Sequence, residues 1–481
     1  MLATTLALFV SGGAPAADFH VDPVNGSPAG DGSAASPWRT IQEVVEADLI
    51  ETRDWESHPY QPGLQLVVVN AGAPVKAGDT IWLRDGYHGE LHLRGAYNAA
   101  PITIAAAPGH VPRLGSVLVE AAERWALRGL SVSPSHAQPP LPRGTIVEID
   151  DHNWFGPVRD VAFEDGDVFT IDDATGWDAD DWVSVASSGI GVGGERVSIL
   201  DNRVRNVRFG ISVGGVDARI AFNEIDGFSA DGLRGLGDGG RFEYNLVRNA
   251  YVDGPTDPNH DDGFQSWSVG PGGVGTGEVR DVVLRGNVFV NHVDPDHPLR
   301  ATLQGIGCFD GRFVDWIVEN NIVVTDHWHG ISLYGATGGR IVNNTVIDLD
   351  AGGPGPPWIM LNEHDGVPSQ GVVVRNNLAT DYAIAGTAIV ADHNFEIANP
   401  AALFVAPPFD LHLRADALAA LDAGSAALAP PRDADRVARP QGAAVDLGAY
   451  ERCPACLFTD GFERGDAGAW SPGGGFAPGL D

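Results

Sequence analysis

Asn202-Arg203-Val204, Asn223-Glu224-Ile225 and Asn245-Leu246-Val247 repeat an asparagine and a short apolar run at steps of 21 and 22 residues. Further copies stand at Asn287-Val288-Phe289, Asn321-Ile322-Val323, Asn343-Asn344-Thr345-Val346 and Asn376-Asn377-Leu378. Asn245 to Asn287 is 42 residues, Asn321 to Asn343 is again 22, and the gaps of 33 to 34 read as one coil plus a loop. A period in this range marks a stacked repeat chain.

The content of each repeat says which stack it is. Some eight to ten residues after the asparagine a second strand opens with glycine, as in Gly210-Ile211-Ser212-Val213, Gly232-Leu233-Arg234 and Gly330-Ile331-Ser332-Leu333. These runs are β-branched, alternate with period two and are broken by Gly, Asp and Asn. No helical periodicity runs through residues 196 to 395. Short strands without intervening helices predict an all-β parallel solenoid, each coil bonded to the next at about 4.8 Å. The asparagines are expected at a sharp bend, in left-handed backbone, bonding their neighbours up and down the stack.

The formal net charge is −34, from 64 acidic and 30 basic residues, which argues against a nucleic-acid or anionic-membrane surface as partner. Lys76 is the sole lysine, so no lysine base is available within the repeats. Met1 to Ala17 has an apolar stretch, Leu2 to Val10, and ends in Ala14-Pro15-Ala16-Ala17, which predicts a secretory signal although no basic residue precedes it. Elsewhere no segment approaches the roughly 18 apolar residues of a membrane span. Three cysteines give no disulfide framework; Cys453 and Cys456 could close one small bridge, and Cys308 falls on an inward strand position. The run from Glu164 to Asp181 holds seven aspartates without the spacing of a metal loop and reads as a solvated turn region.

Several stretches carry a resemblance. Phe19-His20-Val21-Asp22-Pro23-Val24-Asn25-Gly26, Pro37-Trp38-Arg39-Thr40-Ile41-Gln42 and Ala77-Gly78-Asp79-Thr80-Ile81-Trp82-Leu83 resemble the opening of secreted right-handed parallel β-helix proteins of the pectin-lyase-like superfamily. The resemblance implies an N-terminal helical cap over Thr40 to Ile50. Leu421-Asp422-Ala423-Gly424-Ser425 and Val445-Asp446-Leu447-Gly448-Ala449-Tyr450-Glu451 look like the choice-of-anchor Q region of secreted bacterial β-helix proteins, and the tail Phe458 to Glu463 is similar to terminal segments of such proteins. The implied organisation is a signal peptide (1–17), cap and first coils (18–135), β-helix core (136–395), anchor-like region (396–452) and tail (453–481). The location implied is extracellular or periplasmic, in a bacterium.

Stacking the glycine-opened strands in register points Ile211, Leu233, Phe264, Ile306, Ile331 and Ile359 inward. One outward column then reads Ser212, Arg234, Gln265, Gly307, Ser332, Met360, and its neighbour Gly214, Leu236, Trp267, Phe309, Tyr334, Asn362. Trp267, Phe309 and Tyr334 form either an aromatic ladder for stacking sugar rings or a surface under a loop. The residue before each glycine gives Asp231, Asp262, Gln304 and His329. Carboxylates one coil apart would lie about 5 Å apart, close enough for one to raise the other's pKa.

Asn259-His260-Asp261-Asp262-Gly263 and Asp326-His327-Trp328-His329-Gly330-Ile331-Ser332 resemble two motifs of polygalacturonase-type glycoside hydrolases. The resemblance implies Asp262 as general acid, Asp231 and Asp261 as partners holding water, and His329 as the orienting group. Ser229-Ala230-Asp231 replaces that family's Asn-Thr-Asp, and Arg340-Ile341-Val342 its Arg-Ile-Lys. A uronate lyase is the competing reading: His260, Asp261 and Asp262 would hold Ca²⁺, with Arg234, Arg300 or His329 as base or neutraliser. Glu363-His364-Asp365, after Trp358, would extend the groove. The expectation is a secreted, monomeric carbohydrate-active protein with a polysaccharide partner, contacted by Arg234, Gln265, Trp267, Phe309, Tyr334 and Trp358. Hydrolase, Ca²⁺-assisted lyase and non-catalytic binder all stay open.

Overall fold

The computed structural model describes residues 16–252, 257, 259–294, 296–349 and 353–454. Residues 1–15, most of the expected signal segment, and the tail from residue 455, Cys456 included, lie outside the described residues. The chain is a right-handed parallel β-helix, with each coil laying one short strand on each of three faces. The first face stacks Ser188–Val192, Ile211–Val213, Asp231–Gly235, Asp261–Trp267, Leu303–Asp310, His329–Tyr334 and Trp358–Asn362, all parallel. The second face runs through Ser198–Leu200, Arg219–Ala221, Arg241–Glu243, Val283–Arg285 and Ile317–Glu319. The third is a separate 12-stranded sheet that includes Arg203–Val207, Glu224–Phe228, Leu246–Ala250 and Val288–Val290.

All three faces feed one core. The first face contributes Ile211, Leu233, Phe264, Ile306, Ile331 and Ile359, in register and fully buried. Ile220, Phe242 and Leu284 meet them from the second face, and Val204, Ile225, Val247 and Phe289 from the third. Burying each of these side chains stabilises by about 1.5 to 3 kcal/mol, so the stack holds itself coil by coil.

The asparagine period is a continuous ladder. The Nδ2 atoms of Asn202, Asn223, Asn245, Asn287, Asn321, Asn344 and Asn377 each donate to the Oδ1 of the next asparagine at 2.9 to 3.0 Å, ending at Asn394. Each of those oxygens also accepts the preceding asparagine's backbone N–H, for example Asn223 to Asn245 at 3.0 Å. One expectation is corrected. The left-handed residue is the one before each ladder asparagine, Asp201, Phe222, Tyr244, Gly286, Asn320, Asn343, Asn376 and His393, with φ between 52° and 65°. In the three Asn-Asn pairs the first therefore makes the turn and the second makes the ladder.

A short helix, Ile41–Glu46, caps the first coil, with Ile41 and Val44 buried and the Thr40 hydroxyl accepting the Glu43 N–H at 3.2 Å. At the other end, the region from residue 396 folds back along the outside of the third face instead of closing the stack end. Leu403, Phe404, Leu411, Leu413, Leu447 and Tyr450 pack on the outward Leu246, Val290, Val324, Ile347 and Leu378. Gly448 has φ +82° and donates to the Asn376 carbonyl at 2.7 Å; a Cβ there would lie 2.7 Å from both Leu378 Cδ1 and Thr345 Oγ1. Cys453 is disulfide-bonded and Cys308 is a free, buried thiol. Among the described residues no helix is long and apolar enough to cross a membrane.

Candidate active site

The glycines that open the first-face strands bend the chain. A Cβ on Gly232 would sit 2.2 Å from Val247 Cγ1, and on Gly263 2.7 Å from Phe289 Cδ1, so both positions point into the core. The next residues, Leu233 and Phe264, point inward as well. Strict alternation would put Asp262 inside with Phe264. Two successive inward positions break the alternation and bring the residue before each glycine onto the outer face, beside the residue three positions on. Asp231 is consequently ion-paired to Arg234 Nε, and Asp262 Oδ2 accepts from Gln265 Nε2 at 3.1 Å.

The register brings Asp231, Asp262 and Gln304 opposite one another in successive coils. Asp262 donates its backbone N–H to Asp231 Oδ1 at 3.1 Å. Its own Oδ2 lies 2.8 Å from Nδ1 of His260, the residue just before the strand. The other oxygen, Oδ1, leans into the space left by Gly307, where a Cβ would lie 2.0 Å from Oδ1 and 3.1 Å from Gln304 Oε1. Both of these oxygens are buried without a hydrogen-bond partner. Two acceptors facing one gap are reconciled by a proton on the carboxyl group. Burial, and then the nearby Asp231, push the Asp262 carboxyl up to about 8. Burial also raises Asp231 and raises Asp261 well above the usual carboxylate range.

The site residues expected from the sequence separate into groups with different surroundings. Asp231, Asp261 and Asp262 are at most 3% exposed, so none presents a free carboxylate to solvent. Asp261 pairs with Leu303, and both its oxygens lack partners. His260 is the accessible member, with its side chain 56% exposed and its pKa raised by the bond to Asp262. A histidine held through Nδ1 by a buried carboxyl has its other nitrogen free for proton transfer. His329 stands across Phe309, whose ring centroid is 4.7 Å from His329 and 6.4 Å from His260. Trp358 Nε1 donates to His329 Nδ1 at 3.3 Å and Ser332 Oγ lies 2.9 Å from it, placing the proton of the neutral ring on Nε2. Burial, with His260 adding in the same sense, lowers His329 to about 4.

The aromatic column is not a flat ladder. A register shift between Gln265 and Trp267 pairs Trp267 with Asp310 instead of Phe309. Phe309 meets Tyr334 edge-on, 5.3 Å apart at 81°, and Trp267 lies 5.3 Å from the Arg234 guanidinium, which also sits 4.0 Å over Phe209. These rings wall the site. Tyr334 pairs with Asn362, and beyond it Glu363-His364-Asp365 is spent on local contacts, Glu363 bonding the Gly366 N–H of its own turn and His364 Nε2 lying 3.1 Å from the Gly275 carbonyl of another loop. Arg300 is ion-paired with Asp326 at 3.2 Å. His260, Asp261 and Asp262 do not converge: the described residues contain no group of three His, Cys, Asp or Glu side chains arranged to hold a metal ion. The sequence places Gln304 and Gly307 in the columns that line the site but gives neither a role; the interruption of a polar outward column by glycine was the available signal.

A family model described as the right-handed β-helix region matches residues 188–354, the stretch that carries Asp231, His260, Asp262, Gly307, Phe309 and His329, with Trp358 just beyond it. Among solved structures the chain is similar to pectate lyase Pel9A (16% identity, TM-score 0.42, 92% of this chain and 97% of that one). It is likewise similar to XylC in complex with xylose (10%, 0.49, 91% and 98%) and to a rhamnogalacturonan lyase (13%, 0.43, 81% and 90%). At these identities the likeness is one of fold. No curated protein matches the sequence.

Proposed function

We propose that this is a secreted, carbohydrate-active protein that binds a polysaccharide across the first face and breaks it by proton transfer through His260. The observation that carries the reading is the 2.8 Å bond from the half-exposed His260 ring to the fully buried Asp262, beside a wall of Trp267, Phe309 and Tyr334. β-Elimination fits this arrangement better than hydrolysis. Glycoside hydrolysis uses two carboxyl groups that both reach the scissile bond, about 5 to 9.5 Å apart, whereas these aspartates are covered and bonded to one another's coils. Elimination needs one accessible base. His260 Nε2 would take the proton on C5 of a uronate, the C–H electron pair would form the C4–C5 double bond, and the C4–O bond would break with its electron pair on the departing oxygen, which takes a proton from water. Asp262 would hold the ring, and in its ionised form, reached above about pH 8, would balance the proton that His260 gains. His329, with its proton on Nε2, would donate a hydrogen bond to the substrate.

The test is incubation with a polysaccharide panel, with added Ca²⁺ or with chelator, following new reducing ends and the ultraviolet absorbance of unsaturated uronates. Both signals together support elimination. Reducing ends alone mean hydrolysis and overturn the assignment of His260 as the C5 base. Neither signal across the panel identifies a binding protein, and loss of turnover with chelator alone brings Ca²⁺ into the site.

A further inference from the structure

The third face carries a cavity of about 410 Å³, around the bend from Asp231. Its floor is the outward side of Arg203–Val207 and Glu224–Phe228, and its walls come from Tyr251, from residues 172–182 and from His297 and Leu299. The acidic run keeps most of its aspartates exposed, as expected of a solvated turn region, while Trp177 within it and Trp182 just after it supply part of the wall. Asp178 caps the helix Ala179–Ser184 through a reciprocal bond with Asp181, and that helix buries Trp182. Trp182 stacks on Tyr251 at 4.3 Å and 16°, and the half-buried Trp177 stands perpendicular to Trp182 at 5.0 Å. Two indoles at right angles make an apolar corner.

Polar groups of both signs surround that corner, and most are already paired. Arg205 bonds Asp167 at 3.0 and 3.1 Å and the Asp172 carbonyl at 2.9 Å; Asp226 accepts from Arg248 at 2.9 Å. An ionic ligand of either sign would meet like charge. Arg203 Nε is different: it is buried, has no hydrogen-bond partner and lies 4.0 Å from Glu224. Gly227 keeps the space open, for a Cβ there would sit 3.2 Å from Asn206 Oδ1, 3.3 Å from Trp182 and 3.5 Å from Tyr251. An aromatic corner, an unpaired donor and charge-balanced walls in a volume within the usual range of roughly 300 to 1,000 Å³ suit an uncharged polyhydroxylated ring.

We propose that this cavity is a second saccharide site, for a neutral sugar residue, separate from the His260 site. It anchors a chain without cutting it, and it does not depend on the chemistry assigned to His260. The test is calorimetric titration of the full chain with cellohexaose, xylohexaose, mannohexaose and laminarihexaose, and with hexagalacturonate as a charged comparison. At least one neutral hexaose is expected to bind, with affinity falling tenfold or more in Trp177→Ala and in Arg203→Met. Trp177→Phe, which keeps a ring, should retain most of it, and His260→Gln should leave it unchanged. Thermal unfolding of each variant checks that the loss is local. The proposal is overturned if none of the neutral hexaoses binds at millimolar concentration, if binding survives in both Trp177→Ala and Arg203→Met, or if hexagalacturonate alone binds.

Discussion

Replacing Asp262 by asparagine should remove activity and raise stability together. In the unfolded chain this carboxyl titrates near 3.8, and in the folded protein it keeps its proton up to about 8. Between those values the native state binds one more proton than the unfolded state, so stability is fully present below pH 3.8 and falls by about 1.4 kcal/mol per pH unit as pH rises. By pH 7 the loss is on the order of 4 kcal/mol, and Asp231 and Asp261, raised by the same burial, add to it in the same direction. An asparagine has nothing to ionise. Its oxygen can accept from His260, and its amide can donate into the gap shared with Gln304 Oε1, as the ionised carboxylate cannot. Asp262→Asn should therefore be more stable than the natural chain at pH 7 and about equal to it near pH 4, with a pH slope shallower by about one proton. Turnover should fall by roughly 10² to 10⁴, the usual worth of a positioned acid–base group. The assay is denaturant unfolding from pH 4 to 8 beside turnover at each pH. A variant that keeps both the full slope and full turnover would refute the buried, protonated carboxyl and its role together.

Other substitutions and pH test different joints. Asn245→Ala leaves one N–H of the Asn223 amide, the Asn223 backbone N–H and the Ile220 carbonyl without these partners in the core, while the amide keeps its bond to the Ile199 carbonyl, and should cost about 3 kcal/mol in denaturant unfolding. Gly307→Ala puts a methyl 2.0 Å from Asp262 Oδ1 and 2.9 Å from Phe309, so it should cost on the order of 1 to 3 kcal/mol and displace His260's partner, lowering turnover far more than stability. Burial would lower His412, but its bonds to Asp410 and Asp435 push it up to about 10. Its contribution, on the order of 3 to 5 kcal/mol, is present below pH 6.5 and lost as pH rises to about 10. Hydrogen exchange in residues 404–450 should accelerate over that range, and His412→Gln should flatten the change. Because the His260–Asp262 pair holds its protons tightly, base-dependent turnover should rise with pH and level off above about 8.

The stack was legible because its signals are local and repeated. Asn202 to Asn377 gave the period, and the apolar residues after each glycine gave the inward column. The third column came from the same ruler, although alternation alone would have buried Asp262. The bend that turns that column to the outer face depends on Gly263 facing Phe289, a contact between faces that no strand pattern records. Trp267 went out of register at a bulge, which has no sequence mark here. His260 was read as a metal ligand because His-Asp-Asp in one dimension does not say which acid the ring meets. The cavity on the third face joins residues from 172 to 299, too far apart for spacing to reveal.

The most direct test of the central reading follows unsaturated-uronate absorbance with the natural chain and with His260→Gln on the same uronate polysaccharide. The account predicts a signal from the natural chain that drops by at least a hundredfold in the variant, with unfolding temperature little changed. Equal rates from the two would contradict it, as would the absence of any cleavage by the natural chain.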